Sequence, residues 1–254
     1  MLRRSRARKQ ERATAAAAMY RLTGDTTYQD IFRSLTPFAA GPQRLVCLHE
    51  DFCDAAWLFA RTEFDSVDRQ LQEHVIDSFR MTGDDVLAAA GKTSFQWSLE
   101  YPDIPLVWGL GPSTPQVTGL LRAYVLLGDP AYRAGALRSG TFSLGANPQN
   151  TTYLTGLGEH NPQHPHVSDS VNGNLPAWPG TPVNGLQQLN ATADDSDFIE
   201  RVLGGAGAMS SGWDLPYLSS WFDMPSNVSM SEFAVYRNHT EALFAYGVLA
   251  AVNP

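Results

Sequence analysis

Two stretches of this chain combine residue types that can move protons. The first is TYLTGLGEHNPQHPH (Thr152 to His166), a Gly/Pro/His-rich segment too irregular for a helix or a strand. The second is SEFAVYRNHTEALFAYGVLAA (Ser231 to Ala251), strongly apolar, read as a helix that opens with the carboxylate of Glu232. A His-bearing polar loop beside a helix start bearing Glu is one way to build a sugar-cleaving site by acid–base chemistry. By position alone, Glu232 also suits the plain task of offsetting a helix dipole. Glu241, further along, reads either as buried between Ala and Leu or as the partner of Arg237 four residues before it. His164 and His166 are separated by one proline, so in an extended chain their side chains share a side. Two imidazoles could begin a metal site, but no third ligand stands at usable spacing, and no metal is expected.

Other chemistries lack their signatures. There is no G-x-S-x-G elbow, no phosphate-binding Gly loop and no dinucleotide fingerprint. The segment GLGPST (Gly109 to Thr114) is Gly-rich but has no Lys, and no clear strand precedes it. No cofactor is expected. Cys47 and Cys53 fit no common zinc spacing, and a local disulfide and two free thiols remain equally open. Asn150, Asn190, Asn227 and Asn238 each head an N-x-S/T triplet, a pattern common by chance.

The elements that would position these residues show in a repeat. AMYRLTGDTTYQD (Ala18 to Asp30) matches RAYVLLGDPAYRAG (Arg122 to Gly135), and SFRMTGDDVLAAAG (Ser78 to Gly91) is a looser third copy. Gly24, Gly83 and Gly128 can take the left-handed conformation that ends a helix. Asp25, Asp84 and Asp129 can cap the next one, and Pro130 sits at a favoured first helical position. Each copy reads as helix, tight turn, helix. Expected helices are Leu2–Leu22, Thr27–Leu35, Cys53–Glu63, Val67–Met81, Asp85–Ala90, Thr114–Leu127, Ala131–Arg138, Ser196–Leu203 and Ser231–Val252. Convincing strands are scarce, so the chain reads as an all-α array of hairpins, an open solenoid or a toroid. From Ser143 to Pro182 the regular pattern stops and turn signals take over, among them Asn147-Pro148 and Trp178-Pro179-Gly180. A loop this long that keeps Tyr153, His164, His166 and Trp178 is expected to be ordered and functional.

The bulk numbers fit a globular chain: 254 residues, 43% hydrophobic and 17% charged. The net charge of −8 argues against sequence-independent nucleic-acid binding, and neutral ligands such as sugars remain open. The basic start, with Arg3, Arg4, Arg6, Arg8, Lys9 and Arg12, lacks the apolar stretch of a secretory signal and reads as a solvated helix face. No run approaches the ~18 apolar residues of a membrane span.

Taken in order, several segments resemble glycoside hydrolase family 9, the inverting cellulases and their relatives. WGLGPSTPQVTGLLRAYVLLGDPAYRAG is similar to that family's WGS…N…LL.AY.LTGD..Y hairpin, and FSLGANPQNTTYLTGLG to its YLLG.NP…SYVTGFG. NPQHPHVSDS resembles its PPQRPHHR.S loop, PAWPGTPVNG its PYPGLLVGGP, and SEFAVYRNHTEALFAYGVLA its NEVAI.WNAPLVF.LA helix. The similarity is strongest from about Trp108 to Ala251, and five weak motifs in the right order are far more specific than one.

The resemblance implies an (α/α)6 toroid of helical hairpins, here a single partial domain over residues 1–254 whose N-terminal hairpins are missing. It implies hydrolysis of a β-linked glucan such as cellulose or cello-oligosaccharides, outside the cell. Glu232 falls on the family's catalytic acid and His166 on its sugar-contacting loop histidine. Tyr153, Trp178, Trp213 and Trp221 are candidate stacking residues that could equally be core; Tyr153 and Trp178 are taken as substrate contacts beside His166. Where the family loop reads His-His-Arg, this chain reads His166-Val167-Ser168, which removes two groups that bind sugar hydroxyls. The family's D-A-G-D base segment has no counterpart, and Asp51, Asp54, Asp84 and Asp85 stand in other contexts. The expected partners are therefore a polysaccharide or oligosaccharide and a missing N-terminal segment that carries the base, with neither nucleic acid nor membrane. A non-catalytic carbohydrate-binding relative or truncated piece is the alternative, and an α-helical scaffold for protein partners is the third reading.

Overall fold

A computed structural model describes residues 2–45, 47, 52–97, 115–185, 221–225, 231 and 240–251. Its helices are α1 (Leu2–Thr23), α2 (Thr26–Leu35), α3 (Cys53–Ala60), α4 (Arg69–Ala90), α5 (Pro115–Leu127), α6 (Pro130–Phe142), α7 (Ser168–Gly173) and α8 (Thr240–Ala251), with a 3-10 turn at Pro37–Ala40. Among the described residues there is no strand; isolated antiparallel bridges pair Leu144 with Thr152 and Leu154 with Pro182. No described helix is long and apolar enough to cross a membrane. The expected segment Ser196–Leu203 lies outside the described residues, as do residues 232–239 of the expected last helix.

The chain divides into two compact units. The first comprises Met1–Thr93, Ser98–Glu100 and Pro115–Ala136. In it α1 packs on α2 and α3, and α4 packs on α3 and α5. The apolar positions follow helical spacing. Ala13, Ala16, Ala17 and Tyr20 form one buried stripe of α1, and Leu71, Val75 and Phe79 another on α4. Between them Phe32 and Phe59 stack at 4.3 Å and 6°.

The repeated Gly-Asp pairs do what their chemistry allows in two of three copies. Gly24 and Gly128 have φ of 72° and 71°, and each donates its N–H back to the tyrosine four residues earlier, Tyr20 and Tyr124, at 2.8 Å. Asp25 accepts from Thr27 N–H at 2.9 Å and Asp129 from Ala131 N–H at 2.8 Å, opening α2 and α6. The third copy departs from expectation. Gly83 and Asp84 lie inside α4, which runs unbroken where two helices were expected. The apolar phase carries through, since Phe79, Thr82, Gly83, Val86 and Ala89 all face inward. Tyr132 supplies the reason for a glycine there: a Cβ on Gly83 would stand 2.7 Å from its Cε1.

Helix α4 also organises the chain that follows α2. His74, Ser78 and Thr82 lie four residues apart along it. The Nδ1–H of His74 meets the Phe38 carbonyl at 2.8 Å. The hydroxyls of Ser78 and Thr82 accept the N–H groups of Gln43 and Leu45, each at 2.8 Å. This row gives an extended segment the hydrogen bonds that a neighbouring strand would otherwise supply. Cys47 and Cys53 form a disulfide, which settles the thiol question left open by spacing. Arg122 of α5 is buried beside it, donating to Asp54 at 2.7 Å and to the Cys53 sulfur at 3.0 Å.

The second unit comprises Ser94–Trp97, Tyr101–Thr114 and Leu137–Pro254. Trp97 stacks on Phe142 at 4.6 Å, and Tyr246 of α8 reaches the Gly140 carbonyl. Within the stretch expected to be irregular lies α7, a single polar turn with no buried residue. Its sequence, SDSVNG, offers no apolar face, so periodicity could not find it.

Candidate functional site: the loop cluster around His166

The 143–185 stretch is held by hydrogen bonds more than by regular elements. Residues 152–155 run extended between two neighbours. On one side Leu144 bridges Thr152, and Tyr153 N–H donates to the Ser143 carbonyl at 2.9 Å. On the other Leu154 bridges Pro182, with Thr155 N–H on Thr181 and Val183 N–H on Tyr153, each at 3.0 Å. The buried Asn147 ties the turn before them. Its amide donates to the carbonyls of Phe142 and Thr151, each at 2.7 Å, and its oxygen accepts from Gln149 N–H and Thr151 N–H. A buried amide satisfied in this way fixes the turn as a strand pair would.

Tyr153 lies beneath this layer, 1% exposed. Its ring stands edge-on to Trp221 at 5.5 Å, and its hydroxyl donates to Gln149, whose amide in turn donates to the Trp221 carbonyl at 3.1 Å. Burial pushes the Tyr153 phenol far above the usual tyrosine range. These contacts make Tyr153 and Trp221 a pair that holds the 149–153 turn against the 221–225 segment. Trp178 is the opposite case, 63% exposed. Its carbonyl is fixed by the Thr155 hydroxyl, and Gly156 passes so close to Pro179 that a Cβ would stand 3.0 Å from it. The backbone is anchored while the indole face is open, which suits stacking against a flat partner.

His166 sits at the junction of two segments. Its N–H donates to the Ser231 carbonyl at 2.8 Å, and its Nδ1 lies 2.6 Å from the Pro225 carbonyl. A carbonyl oxygen only accepts, so Nδ1 carries the hydrogen, and in the neutral ring Nε2 is the acceptor. Ser231 is itself tied down, its hydroxyl donating to the Met224 carbonyl at 2.7 Å. His164 is exposed, and its N–H goes to Asp223. The two histidines so near in sequence therefore have different surroundings. Among the described residues no group of three or more His, Cys, Asp or Glu is placed to hold a metal ion.

Sequence reasoning marked Asn147 only as part of a turn signal and did not single out Asp223 or Gln149. No spacing rule links position 223 to position 163. A signal did exist in the loop itself: Pro162 and Pro165 have no N–H, so Asn161-Pro162-Gln163-His164-Pro165 leaves two adjacent donors that need an acceptor. Glu232, Trp213 and Arg237 lie outside the described residues, and so does the side chain of Glu241.

The helical hairpins of this chain match part of the (α/α)6-barrel fold of its solved relatives. The sequence agrees: residues 4–244 match the model of glycosyl hydrolase family 9, and the chain belongs to that family. A xyloglucan-specific endo-beta-1,4-glucanase of Bacteroides ovatus is 29% identical over 129 residues, 48% of this chain and 22% of that protein. A thermostable endoglucanase from Alicyclobacillus acidocaldarius superposes with a TM-score of 0.75 at 23% identity, covering 97% of this chain and 43% of its own. The enzyme AaCel9A in complex with cellobiose-like isofagomine superposes with a TM-score of 0.74 at 23% identity, covering 97% and 43%. The chain thus spans about a fifth of the curated relative's length and about two fifths of these solved relatives.

Proposed function

We propose that this chain contributes the acid and sugar-binding side of an inverting glycoside hydrolase acting on a β-linked glucan. Glu232 is the general acid that protonates the leaving glycosidic oxygen. To do so it must stay protonated until it meets the leaving oxygen. His166 accepts a sugar hydroxyl at Nε2, and Trp178 stacks on a sugar face. Tyr153 supports them from below through Gln149 and Trp221. The observation that carries this reading is the hydrogen bond from His166 N–H to Ser231, the residue that precedes Glu232 in sequence. It ties the sugar-contact loop to the peptide that leads into the acid.

An inverting reaction also needs a base that activates water, with the two carboxyl groups ~6.5–9.5 Å apart. The base is carried on a segment other than these 254 residues, in keeping with the absence of a D-A-G-D sequence and with a span of two fifths of the solved relatives. A substrate of polymeric size places the reaction outside the cell. The same absence favours, as a second reading, a carbohydrate-binding relative without turnover.

Reducing-sugar release from a soluble β-1,4-glucan, measured with the base-bearing segment supplied and beside Glu232→Gln, tests the proposal. Turnover that disappears in the variant supports it. Equal turnover in both removes Glu232 as the acid. Saccharide affinity without turnover in either selects the binding module.

A further inference from the structure

We infer that Asp223 is the positioning residue of this site, setting the pose of His166 without touching it; the inference rests on the reading of His166 as a sugar contact. One Asp223 oxygen accepts Gln163 N–H at 2.7 Å and the other accepts His164 N–H at 2.9 Å. These are charge-assisted bonds from adjacent amides to one carboxylate. Proline occupies positions 162 and 165, so these two amides are the only backbone donors between Asn161 and His166. The next donor, His166 N–H, goes to Ser231, and the imidazole goes to Pro225. Every backbone donor from 163 to 166 therefore ends on the 223–231 segment. Among the described residues Gln163 to Pro165 lie in no helix or strand, and the two prolines disfavour one. Its placement is decided by what its few donors meet, and two of its three backbone donors meet Asp223.

A side chain that only stabilised the loop would not be expected to select the state of a ring two residues away. Here it does, because the loop is short and stiff. With Asp223 in place, His166 Nδ1–H reaches the Pro225 carbonyl and Nε2 is left as the acceptor for a ligand hydroxyl. Without the carboxylate, the 163–164 amides lose their common acceptor, the loop shifts, and the ring loses its fixed tautomer. Asp223 therefore helps determine which sugar hydroxyl the site accepts.

The test compares wild type, Asp223→Asn, Asp223→Glu, His166→Ala and the double variant Asp223→Asn/His166→Ala. Affinity for a soluble β-1,4-linked gluco-oligosaccharide is measured by calorimetry, and the nitrogen-15 spectrum of the His166 ring is recorded without ligand. Asp223→Asn opposes an amide donor to one backbone donor and is expected to weaken binding roughly tenfold. Asp223→Glu keeps both acceptors and recovers most of the loss. Because Asp223 acts through His166, the double variant binds no more weakly than His166→Ala alone. In the ring spectrum a single Nδ1–H tautomer gives way to a mixture in Asp223→Asn. Losses that multiply in the double variant, or a ring spectrum unchanged by Asp223→Asn, overturn the inference. If wild type binds no oligosaccharide, the functional reading fails, and the ring spectrum alone decides whether Asp223 positions His166. Thermal melts separate both results from unfolding.

Discussion

Tyr132 takes the space that a side chain on Gly83 would need: its Cε1 is 2.7 Å, and its Cδ1 3.0 Å, from where a Cβ would stand. The same ring carries the hydroxyl that donates to Asp84 at 2.7 Å. Gly83→Ala is therefore expected to destabilise the protein by about 1–2 kcal/mol, since the overpacking cost exceeds the gain in helix propensity. In Tyr132→Phe the same substitution should cost less, because the ring is no longer held by Asp84. Urea unfolding of the single and double variants measures both.

The alkaline limb of stability follows from three phenols, of which Tyr153 is raised by burial beyond the other two. Burial, with the Asp84 hydrogen bond behind it, pushes Tyr132 up to about 12, and burial pushes Tyr246 up to about 12. In the unfolded chain all three ionise near 10. The stabilisation they give is intact below that value and is lost as pH rises toward 12, because the unfolded chain releases its protons first. Tyr132→Phe should make the alkaline decline shallower by one proton, as read from melting temperature against pH.

The hairpin logic was legible in the sequence because Gly24 and Gly128 are followed by residues that stop a helix. Pro130 disfavours helical backbone at Asp129, and Thr26 and Thr27 are poor helix formers. After Gly83 the chain reads Asp-Asp-Val-Leu-Ala-Ala-Ala, which continues a helix, and the apolar phase of Phe79 and Val86 runs straight through. The same Gly-Asp pair thus gave a turn twice and an unbroken helix once, and the difference lay in the residues after it. The site was legible only in part. His166 and Trp178 show in composition and in family resemblance, but the link from Asp223 to residues 163 and 164 crosses about sixty positions with no periodic signal.

Reduction of the Cys47–Cys53 bridge should lower stability by roughly 2 kcal/mol, the chain-entropy value for so short a loop. Unfolding in urea with and without a reductant checks this, with Cys47→Ser/Cys53→Ser as the control that reductant should no longer affect.

Thr82→Val should cost about 1–3 kcal/mol, although its shape hardly changes. Thr82 and Leu45 are both almost fully buried, and the substitution leaves the Leu45 N–H without its acceptor. Thr82→Ser keeps the hydroxyl and should recover most of the loss in the same unfolding measurement.

Trp178→Ala should leave the melting temperature almost unchanged, because the indole is largely exposed. Oligosaccharide affinity should fall by about 1 kcal/mol, the scale of one aromatic stacking contact. Equal affinity in both proteins would place the sugar elsewhere.

The row His74, Ser78 and Thr82 acts as a ruler. Four residues of helix advance about 6.0 Å, while two residues of extended chain advance about 6.6 Å. The two scales agree over the rungs at Gln43 and Leu45 and then drift apart, so the device measures out one short length of chain and no more. A single-residue deletion between Phe38 and Leu45 would therefore not be absorbed as slack. Placed before Gln43, it would present the wrong amide to both Ser78 and Thr82.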